Sequence, residues 1–344
     1  MSCSKPINIG LIGAGRIGSF HGETIARRLV DANLAAIADP APGAATRLAA
    51  SLDVDHAYTD VAQLLAQPDL DAVIIATPAR FHANLVVQAA EAGKAIFCEK
   101  PMALTLEEAD RAIEAARAAN VPLQVGFNRR WDQAFAEGRA AIHAGKIGTP
   151  QLLRSLTRDP GPFGADPERI PLWTIFYETL IHDFDTLLWL NAGARPVEVY
   201  AAADALVRPD AKAVGFVDTS VVTIRFDNGA IAVAEANFSA LYGYDIRGEV
   251  FGSGGMVTMG DVRRSSMTLF DQSGVSNDTW RRDTEHFASG YTAQFASFVK
   301  AVRRREFTEG PTGEDARAAL GIALACIKSV QERRPVAIAE IEAK

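Results

Sequence analysis

Cysteine is scarce in this chain, with three in 344 residues, at Cys3, Cys98 and Cys326. Three scattered thiols cannot build a disulfide framework or a zinc cluster, and a reducing compartment, the cytoplasm, is the simplest home. Long apolar runs are missing as well. The longest nearly apolar stretch, residues 318–327, is about half of the ~20 residues that a membrane helix needs. No basic and apolar leader precedes Ile7–Ile12, which reads as structure and not as a signal. Positive charge is not in excess: 35 Lys and Arg against 42 Asp and Glu leave a net −7, which argues against a nucleic-acid surface. Lysine itself is rare, eight of those 35 cations, so each one is worth inspecting.

What is present is ordinary globular material, 48% hydrophobic and 22% charged. At about 150 residues per domain, the length suggests two domains. Residues 1–126 alternate short apolar runs with helical patterns. Strands are expected at 7–12, 33–38, 72–76, 95–98 and 123–126, with helices at 16–30, 44–52, 84–92 and 105–120. Near-continuous apolar strands separated by helices predict a doubly wound parallel sheet covered on both faces. Residues 127–344 follow another grammar. A helix over 131–144 precedes strands near 152–156, 197–203, 220–226, 230–238, 249–251 and 267–270, with helices over 175–190, 288–304 and 314–332. Asp227-Asn228-Gly229 is a hairpin signal. The fold class is α/β: an N-terminal Rossmann-type sheet followed by an α+β domain built on a large, mostly antiparallel open sheet. The strand at 230–238 is water-poor on both sides, with Ile231 and Val233 on one and Ala230, Ala232, Ala234 and Ala236 on the other. Either helices cover both faces, or a second subunit covers one.

Gly13-Ala14-Gly15-Arg16-Ile17-Gly18 follows the first strand and opens a helix. The first glycine permits the tight turn, the second lets backbone approach a pyrophosphate, and the third lets the helix pack on the strand. Asp39 ends the second strand, where a carboxylate accepts hydrogen bonds from ribose hydroxyls and repels a 2′-phosphate. With Pro40 next to it and Arg47 the only nearby cation, NAD is preferred over NADP.

Ligands of such sheets bind at the carboxyl ends of the strands. One strand ends in Thr77-Pro78, with His82 close behind, and another in Glu99-Lys100-Pro101. Lys100 could hold a substrate oxygen beside the nicotinamide, or be a solvated loop lysine. Glu178 and His182 lie four apart and share a helix face. There the imidazole could take a hydroxyl proton as hydride leaves the same carbon, or the two could form a plain helical pair. Glu178, His182 and Asp185 could also be metal ligands, but no second ligand group supports that, and no metal is expected.

Together with Asp39, Ala76-Thr77-Pro78, Glu99-Lys100-Pro101, Gly126-Phe127-Asn128-Arg129-Arg130, His182-Asp183-Phe184-Asp185 and Gly313-Glu314-Asp315-Ala316, the glycine motif resembles the Gfo/Idh/MocA oxidoreductases over nearly the whole chain. Residues 177–182 and Tyr242-Gly243-Tyr244-Asp245 are most similar to its inositol-oxidising members. The resemblance implies NAD-dependent oxidation of a secondary hydroxyl of a cyclic polyol, an inositol first, by a homo-oligomer, dimer or tetramer. Related sugars or diols, and a non-catalytic NAD-binding regulator, are the alternatives. It implies Lys100 and His182 acting on one alcohol, with Glu178 where the family commonly has aspartate. Substrate contacts are expected from Lys100, Asp159, Glu178, His182, Tyr242 and Tyr244. Cofactor contacts are expected from Gly13, Gly15, Arg16, Ile17, Gly18, Asp39, Thr77, Pro78, His82, Glu99 and Lys100. Thr157-Arg158-Asp159-Pro160 stands where some inositol enzymes carry His-Arg-Asn-Pro, which touches substrate identity and not catalysis. Arg129 and Arg130 stay open between a ligand contact and surface pairing, as Tyr242 and Tyr244 do between ligand contact and packing.

Overall fold

The apolar run Ile7–Ile12 forms β1 in the computed structural model, which describes residues 5–161, 170–305 and 310–343. It leads through the glycine loop into α1 (Arg16–Arg28), β2 (Ala32–Ala38), α2 (Ala44–Ser51), β3 (His56–Tyr58), α3 (Val61–Leu65) and β4 (Ala72–Ile75). Then come α4 (His82–Glu91), β5 (Ala95–Cys98), α5 (Leu106–Ala118) and β6 (Leu123–Val125). The six strands are parallel in the order β3-β2-β1-β4-β5-β6. The order of strand addition therefore reverses between β1 and β4, which puts the ligand crevice at their carboxyl ends. Every residue of β4 and β5 is buried, as a sheet covered on both faces requires. Thr105 caps α5 by accepting the Glu108 N–H, while Glu108 reaches back to the Leu104 N–H, one residue further than in the standard capping box. The short β3 and α3 carry too few residues for periodicity to announce them.

The second unit contains α6 (Gln133–His143), β7 (Pro150–Arg158), a π-helical stretch Ile175–Leu180 and α7 (Ile181–Leu190). It continues with β8 (Pro196–Asp204), β9 (Thr219–Phe226), β10 (Ile231–Asn237), β11 (Asp245–Gly252), β12 (Gly255–Met259), β13 (Arg263–Asp271), β14 (Gly274–Thr279) and α8 (Asp283–His286). The helix expected over 175–190 is thus two segments, and the wider turn holds Glu178. Gly229, at φ +86°, closes the β9–β10 hairpin where an L side chain would be strained. β13 and β14 form a separate ribbon that is exposed along most of its length, so only residues 267–270 had enough apolar character to signal a strand.

α9 (Ala288–Arg304) and α10 (Gly313–Glu332) follow, and β15 (Val336–Ala337) completes the second sheet. Its order is β12-β11-β7-β10-β9-β8-β15, antiparallel except where β7 runs alongside β10. One face is closed: Ala232, Ala234 and Ala236 are buried, and α7 packs on β7 and β10. On the other face Ile231 pairs with Leu152, Leu152 with Phe251 and Phe251 with Met256, each about half exposed. Among the described residues, helices therefore cover one face only.

The chain divides into two units, residues 1–131 with 289–317, and 132–288 with 318–344. A single cut at 126/127 leaves out the return of 289–317. That segment belongs to the first unit because Phe295, Phe298 and Val299 of α9 join Ile9, Leu11, Ile25, Ile37 and Phe97 in one core, and because the Val125 N–H donates to the Pro311 carbonyl. The apolar stripe of α9 is visible in the sequence, but the sheet that receives it is not. No helix among the described residues is long and apolar enough to cross a membrane.

Candidate active site

Three glycines after β1 serve different ends. Gly13 has φ +104°, and a Cβ there would lie 2.5 Å from the Ala76 carbonyl oxygen. A Cβ on Gly18 would collide with the Gly13 carbonyl. Both are demanded by packing within the chain. Gly15 has an ordinary extended backbone at φ −74°, and nothing lies within 4 Å of its would-be Cβ. Nothing among the described residues requires a glycine there, which leaves the backbone open to the approach of a ligand. The α1 N-terminus beside it has no side-chain cap and no acid in its first turn, leaving N–H groups and dipole available to an anion. Arg16 is exposed and Ile17 half-buried on that turn.

Asp39 fastens this loop to β2. Its Oδ2 accepts the Ala14 N–H at 2.7 Å and its Oδ1 the Ala41 N–H at 2.8 Å. Arg47 donates to the Pro42 carbonyl in its own loop. The loop and acid fit a dinucleotide: phosphates at the α1 N-terminus over Gly15, and the adenosine ribose at Asp39. At the end of β4 the Thr77 hydroxyl is buried with no hydrogen-bond partner among the described residues, while Pro78 is exposed.

At the end of β5 the structure gives Glu99 and His82 partners of their own. Glu99 is buried, and its Oε1 lies 2.7 Å from Nε2 of the fully buried His21 on α1. Its Oε2 accepts the Lys100 N–H at 3.3 Å. Burial alone would raise the Glu99 pKa, but the hydrogen bond and charge of His21, then Lys100 and His82, outweigh it and hold the carboxyl below its usual range. A Cβ at Gly126 would lie 2.9 Å from Oε1, so position 126 must stay small. His82 is also buried, with both ring nitrogens on backbone carbonyls. Expected as cofactor contacts, these two side chains spend their polar atoms inside the unit. Lys100 is half-buried at the same strand end. Arg130 pairs with Asp315, which with Thr312 caps the start of α10, and Arg129 is buried.

The second unit gathers its candidates at one end of its sheet. Arg158, the last residue of β7, is in register with Asp245, the first of β11. Asp159 follows, with Oδ1 accepting the Gly161 N–H at 2.6 Å. The Tyr242 hydroxyl donates to Asp245 Oδ2 at 2.9 Å, and Asp245 also holds Arg247 at 2.6 Å. Burial and the Asp245 carboxylate push the Tyr242 phenol up against the opposing pull of Arg158, so Tyr242 is a hydrogen-bonding group and not a base near neutrality. Tyr244 is half-buried, its N–H on the Trp280 carbonyl.

His182 and Glu178 are half-buried where the π-helical stretch passes into α7. Just before that stretch Trp173 has φ +61°, a strained conformation for a bulky residue of the kind found near functional sites. The next residue after His182 anchors it. Asp183, fully buried, accepts Ser155 Oγ at 2.5 Å and Thr157 Oγ1 at 2.7 Å from β7. Sequence reasoning quoted Asp183 only as part of a motif and missed His21 altogether. Their partners lie 26 to 78 residues away, which no local spacing reveals. Among the described residues no three His, Cys, Asp or Glu side chains are gathered for a metal ion.

Comparison with known proteins agrees with this geometry. Residues 7–127 match the Gfo/Idh/MocA oxidoreductase family in its NAD-binding Rossmann fold, and residues 135–258 match the Gfo/Idh/MocA C-terminal domain. Myo-inositol 2-dehydrogenase of Thermotoga maritima is 37% identical over 336 residues, covering 97% of this chain and 99% of its own. The scyllo-inositol 2-dehydrogenase (NAD(+)) of Bacillus subtilis is 34% identical over 332 residues, 96% of each chain. The crystal structure of scyllo-inositol dehydrogenase from Lactobacillus casei, with bound NAD(H) and scyllo-inositol, has a TM-score of 0.93 at 28% identity, covering 97% of this chain and 100% of that one. With both halves matched and full-length relatives above 30% identity, the chain belongs to the Gfo/Idh/MocA family of NAD-binding oxidoreductases.

Proposed function

We propose that the chain oxidises a secondary hydroxyl of an inositol, myo or scyllo, to the ketone, with NAD as hydride acceptor. The observation that carries this is the open backbone at Gly15 after β1 together with a lysine at the carboxyl end of β5 in the same sheet, in a chain whose full-length relatives include inositol dehydrogenases. NAD, when bound, takes the hydride from the carbinol carbon. Lys100 holds the hydroxyl oxygen and stabilises its developing negative charge. His182 takes the hydroxyl proton, an imidazole being poised to do so near neutral pH. Glu178 orients the imidazole or binds a neighbouring hydroxyl, and Asp159, Tyr242 and Tyr244 bind the remaining hydroxyls of the ring. Asp183 acts through His182, holding the start of α7 on β7.

The first unit is then the cofactor domain, and the second the substrate and assembly domain. The half-exposed row Met256, Phe251, Leu152 and Ile231 is apolar surface that a second copy of the chain covers, with the flanking Arg154–Glu235 and Arg225–Glu198 pairs setting register. A reducing cytoplasm suits the buried free thiols Cys98 and Cys326.

The deciding experiment is NADH formation measured across myo-inositol, scyllo-inositol, aldoses and simple diols. Turnover confined to the inositols supports the assignment. A preference for an aldose or a diol moves the substrate to the related-sugar reading. No turnover by protein that binds NAD leaves a cofactor-binding regulator.

A further inference from the structure

Two backbone carbonyls face the ring of His82 from its two nitrogens. Nδ1 lies 2.8 Å from the Pro101 oxygen and Nε2 lies 2.7 Å from the Thr77 oxygen. The residue is 1% exposed. A carbonyl oxygen can only accept a hydrogen bond. A neutral imidazole has one N–H, so it would satisfy one carbonyl and press a lone pair against the other. The ring that carries both protons satisfies both. A buried cation needs an anion close by, and Glu99, between His21 and Lys100, is that anion. Among the other charged side chains on the neighbouring elements, Arg80 lies over the Phe81 ring, Arg111 of α5 bonds Asn84, and Glu108 of α5 accepts the Leu104 N–H.

We propose that His82 is a positioning residue that works as an imidazolium, tying the loop after β4 at Thr77 to the loop after β5 at Pro101 and so fixing Lys100. Lys100 is held from both sides in this arrangement. Its own N–H bonds Glu99, and the carbonyl of the next residue, Pro101, bonds His82. A ring with a single N–H can hold only one of the two loops, which leaves the lysine's support looser. The catalytic consequence rests on Lys100 serving the substrate as proposed above, whereas the doubly protonated ring does not.

The test separates the two. The full chain is labelled with ¹⁵N-histidine, and its six imidazoles are observed by long-range proton–nitrogen correlation at neutral pH. The His82 signal is identified by its loss in His82→Gln or, if that variant does not fold, by elimination using substitutions of the other five. Protons on both ring nitrogens are expected. One unprotonated ring nitrogen overturns the proposal. A glutamine amide carries its donors on one atom and reaches one carbonyl only. His82→Gln should therefore lower kcat about 10- to 100-fold, the scale of a misplacement of ~1 Å at a reacting centre, with little change in NAD affinity. An unchanged kcat overturns the positioning role. Unchanged turnover in Lys100→Ala would instead remove the lysine assignment and leave the spectrum to be judged alone.

Discussion

The two sheets solve different problems. The parallel sheet of the first unit is sealed on both faces, and the site proposed for it is largely backbone: a glycine loop, a helix N-terminus and the ends of β4 and β5. The mixed sheet of the second unit is sealed on one face, and the site proposed for it consists of side chains, Asp159, Tyr242 and Tyr244 with the His182 helix pinned by Asp183. Backbone recognition suits a constant ligand, since main-chain N–H groups and a dipole cannot be swapped by point substitution. Side-chain recognition suits a variable one. This division explains why the cofactor is legible from a short motif, while the particular polyol has to be inferred from relatives and tested.

The most severe challenge to that contrast is chemical. His182→Ala should reduce kcat by about 10²- to 10⁴-fold, the usual worth of a positioned general base, while NAD affinity stays at the parental value. Lys100→Ala should do the same by removing charge stabilisation worth about 10²–10³. Steady-state rates beside NAD titrations check both, and a joint loss of NAD binding and turnover in His182→Ala would break the proposed separation of roles.

The two faces of the second sheet offer the next largest effect. Ala234→Asp, on the sealed side, should cost about 3–5 kcal/mol in urea unfolding, the scale of an uncompensated buried charge. Ile231→Lys, three positions earlier on the open side of the same strand, should leave the fold of the chain intact and appear instead as a smaller species in sedimentation. Equal unfolding costs for the two would mean that the open face is sealed within the chain after all.

The glycine loop should divide in a similar way. Gly13→Ala faces a positive φ and the Ala76 carbonyl, and should destabilise the chain by about 1–3 kcal/mol. Gly15→Ala meets nothing, so thermal unfolding should hardly move while NAD binding weakens. Isothermal titration set beside melting curves distinguishes the two glycines.

A smaller effect is expected from acid. Glu99 titrates below its usual range in the folded chain, so its stabilising contribution is complete above the unfolded carboxylate pKa and is lost as pH falls through the lower folded value. Urea midpoints followed from neutral into acid should show a steeper fall for the parent chain than for Glu99→Gln.

Legibility followed distance along the chain. The strands Ile7–Ile12 and Ala95–Cys98, the glycine loop, Asp39 and the Lys100 strand end announced themselves because each is a local pattern. The β13–β14 ribbon stayed faint because neither of its faces is buried, so no alternation marks it. The π-helical turn at Ile175–Leu180 keeps the apolar spacing of a helix and changes only its width. His21 beneath Glu99 and the two β7 hydroxyls on Asp183 are meetings between distant segments, which fold topology decides and local periodicity does not.

The return of residues 289–317 has a consequence for synthesis. A chain emerging from the ribosome presents all six parallel strands by residue 125, yet Phe295, Phe298 and Val299, which complete their core, come much later. From residue 131 to Val299 the interval is 168 residues, or about 8–34 s at translation rates of about 5–20 residues per second. Throughout that time the apolar surface around Ile9, Ile25 and Phe97 waits for its cover. The nucleotide-binding half of the protein is therefore the first to be made and among the last to be finished.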